Sequence, residues 1–254
     1  MSLEITHEHI ELYNENGFVL VKNFIDLDIV KRIKEEVLSY HEKFKDADHL
    51  DLGINVSWEQ LGESQPIKIR QLMGSQNINK DIYDLAYSDK MISTMKKLLR
   101  SEVELFHSKL MMKAAKHGSF TPWHSDWGYW RHIFKAPKLM NAFLAIDEST
   151  IKNGAIRYVP GSHKAYVEHM NFEEANSFNI GLPGDINAYP DAHVIEMEPG
   201  DVTFHDALCI HGSEANHSED DRIMNTFAYT AIDNIKNGKE KDVYDQRLDY
   251  IRTS

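Results

Sequence analysis

Residues 199–231 read Pro199-Gly-Asp-Val-Thr-Phe-His205-Asp-Ala-Leu-Cys-Ile-His211-Gly-Ser213-Glu-Ala-Asn216-His-Ser218-Glu-Asp-Asp-Arg222-Ile-Met-Asn-Thr-Phe-Ala-Tyr-Thr-Ala231. The stretch holds three short runs of strand-forming residues, Val202–His205, Ala207–Ile210 and Ile223–Ala231. Turn signals at Pro199-Gly200-Asp201 and His211-Gly212 separate them, so the spacing leaves room for antiparallel pairing and none for crossover helices. The same texture continues upstream in Val103–Met112, Leu139–Ile146, Ala155–Val159 and Val194–Met197, punctuated by Asn153-Gly154 and Pro160-Gly161. Many short strands with tight turns predict a β-sandwich or barrel. Before residue 102 the pattern changes. Thr6 is placed to cap a helix over His7–Asn14 that stops at Gly17, and Phe18–Val21 reads as a strand. Ile29, Ile33, Val37 and Leu38 recur at helical spacing between Asp26 or Asp28 and about Phe44, and Ser88 opens a helix to Leu99. Residues 46–76 show no clean period and read as irregular. The reading is one domain over 1–254, mainly β with α additions. Residues 1–100 form a helical cover, 101–232 a jelly-roll core, and 233–254 a solvated C-terminal extension.

Composition narrows the function. The chain has 254 residues, with Lys+Arg 28 against Asp+Glu 40 and a formal net charge of −12. Phosphate backbones and anionic lipid surfaces need a surplus of Lys and Arg, so neither nucleic acid nor membrane is expected as a partner. A local basic patch of Lys109, Lys113, Lys116 and Arg131 is the one arrangement that would oppose this reading. No apolar run approaches the ~20 residues that cross a bilayer, and the N-terminus lacks the pattern of a signal peptide. Cys209 is the single cysteine, which leaves no intramolecular disulfide and no Cys-rich zinc site. A cytoplasmic setting, with the chain a monomer or homodimer, is the expectation. Cys209 sits in an apolar run and reads as a buried, inert thiol. His7, His9, His41, His49 and His169 lie on polar segments and read as surface residues.

The chemistry concentrates in Phe120-Thr-Pro-Trp-His124-Ser-Asp126-Trp-Gly-Tyr-Trp130. On an extended segment His124 and Asp126 point the same way. An imidazole and a carboxylate side by side are two ligands for a divalent metal, and a third would complete a 2-His-1-carboxylate set with open positions. His205, His211 and His217 are the candidates for that third ligand. Arg222 opens an otherwise apolar strand, where a guanidinium is costly unless paired. It pairs either structurally, with Asp201, Asp220 or Asp221, or with the carboxylate of a cosubstrate.

Taken in order, four motifs resemble the phytanoyl-CoA dioxygenase family. They are His124-Ser-Asp126, Asn153-Gly-Ala-Ile-Arg-Tyr-Val-Pro160-Gly-Ser-His163, Pro199-Gly-Asp201, and His211-Gly-Ser213…Asn216-His-Ser218…Arg222. The opening helix and Asn16-Gly-Phe-Val-Leu-Val21 are similar to the family's N-terminal cover. Trp123-His-Ser-Asp and Trp130 are closest to the ectoine hydroxylase branch. The resemblance implies a double-stranded β-helix (cupin-like) core and an oxygenase that uses Fe(II), 2-oxoglutarate and O2. It implies His124, Asp126 and His211 as metal ligands, with Arg222 and Ser213 on the far carboxylate of 2-oxoglutarate. Asn141 and Lys113 match positions of further cosubstrate contacts, and His163 matches a scaffold position. Halogenases of this superfamily carry Ala or Gly where Asp126 stands, so the pattern argues for a hydroxylase.

The implied reaction hydroxylates an unactivated C–H bond of a small-molecule substrate, an amino acid or natural-product intermediate, with release of succinate and CO2. Desaturation, cyclisation or epimerisation would use the same iron site. Trp127, Tyr129, Trp130 and Arg131 follow the metal motif and are the candidate substrate residues. Residues 164–192 form a long connection of the kind that covers a site, and 46–76 would flank its entrance. The reading from another class is a jelly-roll protein that binds metal or ligand without turnover. Arg222 separates the two, because such a protein has no use for a carboxylate clamp.

Overall fold

The computed structural model describes residues 4–45, 52–60, 67–171 and 180–235. In chain order the elements are α1 (His7–Asn16), β1 (Phe18–Val21), α2 (Leu27–Val37), α3 (Tyr40–Phe44), β2 (Asn55–Gln60), β3 (Ile67–Met73), α4 (Lys80–Ala86), α5 (Asp89–Leu99), β4 (Val103–Lys113), β5 (Thr121–His124), α6 (Asp126–Trp130), β6 (Leu139–Ala145), β7 (Ile156–Tyr158), β8 (Met170–Asn171), β9 (Ile180–Gly181), β10 (His193–Ile195), β11 (Val202–Asp206), β12 (His211–Ser213) and β13 (Arg222–Ala231). Seven strands form the larger sheet in the order β1-β11-β6-β13-β4-β3-β2, and four form a smaller one in the order β10-β7-β12-β5. Every pairing is antiparallel. This is the expected jelly roll with a helical cover.

Period-2 alternation decides which residues reach the site. On the larger sheet, Leu110 and Met112 of β4, Met140, Ala142 and Leu144 of β6, Val202 and Phe204 of β11, and Ile223 and Phe227 of β13 face the cover. There they pack with Val30, Ile33 and Val37 of α2, Ile82 of α4, and Met91 and Met95 of α5. The intervening residues face the smaller sheet. Tyr158 stacks on Phe18 at 4.6 Å between ring centres and bridges the two sheets there. β13 lies between β6 and β4, and all ten of its residues are buried.

The helix boundaries follow local chemistry. Thr6 and His9 form a reciprocal cap at the start of α1, and Gly17 ends it at φ 83°. A Cβ on Gly17 would stand 2.4 Å from His163 Nδ1, so both the backbone angle and the close approach require glycine. Ser88 caps α5 through its hydroxyl. The helix expected from Asp26 to Phe44 is two helices instead. Ser39 Oγ donates back to Glu36 O, a local bond of the kind that competes with helix continuation.

Other expectations need correction. Residues 55–60 and 67–73 are paired strands at the sheet edge rather than irregular chain. A register shift between Ser57 and Trp58 breaks the alternation that would have marked them. Ala207–Ile210 is a turn: Asp206 Oδ1 accepts from Leu208 N and its carbonyl accepts from Cys209 N. β5 ends at His124 and the chain turns into α6 at Asp126, so one extended strand does not present both residues. Asn234 is buried and donates to Ala136 O, so the C-terminal segment begins packed rather than solvated. Lys236, Lys239, Glu240 and Lys241 lie outside the described residues, as does His49. Among the described residues no helix is long and apolar enough to cross a membrane.

Candidate active site

His124 closes β5 and His211 opens β12, and the register sets them directly opposite one another. Their ring centres are 4.2 Å apart. Asp126 joins them from the first residue of α6, whose entry is fixed by Trp127 N–H donating to Ala207 O. One ligand atom from each of the three lies within 4.8 Å of the others. His124 Nδ1 bonds to Pro122 O at 2.8 Å and His211 Nδ1 to Cys209 O at 2.9 Å. A carbonyl accepts only from N–H, so the proton is on Nδ1 and the lone pair on Nε2 in both rings.

Electrostatics suit a cation. Burial pushes His124 down to about 4, partly offset by Asp126, and burial together with His124 holds His211 well below the ordinary histidine range. Both are neutral ligands at neutral pH. Burial alone would raise Asp126, but the hydrogen bond from His205 and the facing His211 outweigh it and keep the carboxylate ionised. Asp126 Oδ2 accepts from Asn141 Nδ2 at 2.7 Å and from His205 Nε2 at 3.2 Å. Both bonds fall on Oδ2. Two imidazole nitrogens and one carboxylate oxygen are the donor set of non-haem Fe(II) sites. The residues fit the metal.

A partly open cleft is lined by all three residues of the triad. Arg222, Ser213 and Ile156 line one part of it, and Lys109, Thr226 and Asn141 another. Arg222 is 2% exposed. Its guanidinium donates to Gly154 O through one terminal nitrogen, and its buried Nε has no partner among the described residues. Burial pushes its pKa down to about 10, so it remains a cation. A buried guanidinium with unmet donors in a cleft is fitted to an acidic ligand. The structural pairing does not form. Asp201 accepts from Asn23 N and Glu198 N, and Asp221 binds Lys68 and Ala115 N.

The remaining expected residues divide. Asn141 lines the cleft and its amide holds Asp126. Lys113 is buried outside this cleft, beside Glu59, Arg70 and Ser119, with its ammonium on Glu214 O. Trp130 packs in the core with Ile133, Phe134 and Leu139, and Trp127 packs against the same group. Tyr129 sets its ring edge-on to His124 at 5.7 Å and donates to Ile180 O. Arg131 pairs with Glu168. None of these four lines the cleft, because the helical turn of α6 swings them away from it. His205, a candidate third ligand, instead supports Asp126 and bonds Tyr158 OH at 2.9 Å through Nδ1. His169 is half-buried, and its Nε2 accepts from Ser125 N between the two ligands of the motif. The basic patch does not assemble, since Lys116 pairs with Glu219, Arg131 with Glu168, and Lys113 is buried. The reading from sequence missed Lys109, Thr226, Met111 and Phe143 as cleft residues; alternation along β4, β6 and β13 was the signal that could have found them.

The family model for phytanoyl-CoA dioxygenase (PhyH) matches residues 13–224. The ectoine dioxygenase of Streptomyces avermitilis is 23% identical over 244 residues, covering 91% of this chain and 80% of that one. A probable alpha-ketoglutarate-dependent hypophosphite dioxygenase of Stutzerimonas stutzeri is 26% identical over 230 residues, covering 87% and 77%. Among solved structures, EctD from S. alaskensis in its apo form superposes with a TM-score of 0.74 at 19% identity, over 91% of this chain and 78% of that one. The carbocyclase SnoK from nogalamycin biosynthesis gives 0.69 at 18% identity, over 94% and 91%. The likeness to these structures supports the cupin jelly roll, and the family match spans most of the chain. The chain belongs to the phytanoyl-CoA dioxygenase family, the iron(II)- and 2-oxoglutarate-dependent oxygenases that its motifs resemble.

Proposed function

We propose that this protein hydroxylates an unactivated C–H bond of a small molecule, an amino acid or natural-product intermediate, and releases succinate and CO2. One observation carries the reading: the three ligand atoms of His124, Asp126 and His211 share a cleft with the buried, incompletely bonded guanidinium of Arg222. His124, Asp126 and His211 would hold iron(II), and Arg222 with Ser213 would hold the distal carboxylate of 2-oxoglutarate. When bound, iron(II) supplies the redox chemistry that couples decarboxylation of the keto acid to oxidation of a C–H bond. Asn141 and His205 keep Asp126 ionised and oriented. Phe143, Met111 and Ile156 give the cleft apolar walls that exclude water. Two relatives are named for small compounds, ectoine and hypophosphite, which supports a small-molecule substrate.

The test is anaerobic. The metal-free protein receives iron(II) and then 2-oxoglutarate, and the weak visible band of a chelated keto acid is followed. His211→Ala abolishes the band. Arg222→Ala raises the 2-oxoglutarate needed for half-saturation by roughly 10–100-fold, the value of lost charge-assisted hydrogen bonds. Metal binding with no band in the unaltered protein would refute the oxygenase reading.

A further inference from the structure

Building on the oxygenase reading, we infer that the substrate is an anion, held by Lys109 beside the metal-binding carboxylate. Lys109 lines the same cleft as the triad. Its position is fixed by the register, which sets it opposite Thr226 on β13, while Arg222 stands opposite Lys113. The two cations are therefore separated by four residues of strand, about 13 Å of backbone. Arg222 is drawn toward Gly154 O and the end lined by Ser213 and Ile156. Lys109 belongs to the other end. There Thr226 Oγ1 donates to Asn141 Oδ1 at 3.1 Å, and Asn141 donates on to Asp126. Lys109 thus flanks the side of the triad opposite the cosubstrate clamp.

No hydrogen bond or ion pair engages the Lys109 side chain among the described residues, unlike those of Lys113, Lys116 and Arg131. The charge count gives that isolation its meaning. The cleft lining contains two basic side chains, Lys109 and Arg222, and one carboxylate, Asp126; burial lowers the pKa of Lys109, and the charge of Asp126 opposes that shift. Iron(II) brings two positive charges and 2-oxoglutarate two negative ones. Metal, Asp126, Arg222 and cosubstrate then sum to zero, and the Lys109 ammonium remains uncompensated. A half-buried ammonium without a partner is unfavourable. A substrate carrying one carboxylate or comparable oxyanion neutralises it and is oriented with the rest of its skeleton over the metal. A neutral or cationic compound leaves the charge unmet, so the site discriminates by repulsion and desolvation as well as by attraction.

The experiment uses the iron(II)–2-oxoglutarate complex of the full chain, without oxygen. Acetate, butyrate, benzoate and N-acetylglycine are added, each beside its primary amide, and the concentration that half-perturbs the visible band is recorded. The acids should act at concentrations at least tenfold below their amides. Lys109→Met and Lys109→Gln should remove that preference, Lys109→Arg should keep much of it, and all three should bind 2-oxoglutarate within about twofold of the unaltered protein. Equal action or equal inertness of acids and amides would overturn the inference. So would a preference that survives Lys109→Met, or a tenfold loss of 2-oxoglutarate binding in that variant, which would assign the lysine to the cosubstrate. Failure of the band to form at all would instead strike the oxygenase reading. The melting temperature of the metal-free protein gives an independent readout: Lys109→Met should match or exceed the unaltered chain, and a drop beyond about 5 °C would mark a structural lysine and overturn the assignment.

Discussion

Asp126 shows how little separates a proposed ligand from its support. Its Oδ2 takes hydrogen bonds from both Asn141 and His205, and His205 is itself held by Tyr158 OH. The tautomer of His205 follows, with Nε2–H donating to the carboxylate and Nδ1 accepting from the phenol. His205→Phe keeps ring volume and removes the donor. It should weaken iron(II) binding by about 10–100-fold, the usual consequence of losing an outer partner of a metal ligand. His205→Gln should recover part of the loss, and competition with a chelator measures both. Sequence spacing made His124, Asp126, His211 and Arg222 legible, because each carries a charge or a ligand atom in a recognisable order. The role of His205 was not legible. His205 and His211 are six residues apart, and only the turn over Asp206–Ile210 decides which of them meets His124 across β5.

At the scale of elements, the turn before β7 ties the scaffold to the proposed clamp, Arg222. Thr150 and Asn153 form a reciprocal cap, and Gly154 follows at φ 82°. A Cβ on Gly154 would stand 2.4 Å from Glu214 O, and the Gly154 carbonyl is the one that Arg222 binds. Gly154→Ala should cost about 1–3 kcal/mol of stability in urea unfolding. It should also raise the 2-oxoglutarate requirement, although residue 154 bears no functional group. Equal cosubstrate affinity in a destabilised variant would separate the turn from the clamp. Turn glycines and caps were readable from sequence, as at Thr6, Gly17 and Ser88. The β2–β3 pair was not, because a register shift scrambles the alternation in β2 and Gln71, directly after Arg70, breaks it in β3. Nor was the turn of α6. Its five residues are too few to show a period, and that turn sends Trp127 and Trp130 into the core rather than to the cleft.

At the scale of the molecule, the helical cover and the sheet meet at a titrating contact. Tyr13 of α1 donates to Asp206 at the end of β11, and burial pushes that carboxyl up to about 6, with the Leu208 and Tyr13 hydrogen bonds opposing. The folded chain therefore binds this proton more tightly than the unfolded chain, whose group titrates near its usual 3.8. The contribution to stability is fully present below about 4 and is lost as pH rises through 6. Asp206→Asn, which keeps the bond from Leu208 N and reverses the one with Tyr13 so that the amide donates to the phenol oxygen, should gain on the unaltered protein by about 1–3 kcal/mol between pH 5 and pH 7 in urea titrations. A constant difference across that range would remove Asp206 from the pH response. The larger architecture was visible from turn spacing alone, but the order of strands was not, since antiparallel neighbours need not be consecutive. That order has a consequence for biosynthesis. β13 is wholly buried between β4 and β6, both made long before it. Neither β4 nor β6 can complete its pairing with β13 until residues 222–231 have been synthesised. Arg222 arrives on that same strand, so the chain gains its proposed cosubstrate clamp only in the act of closing its sheet.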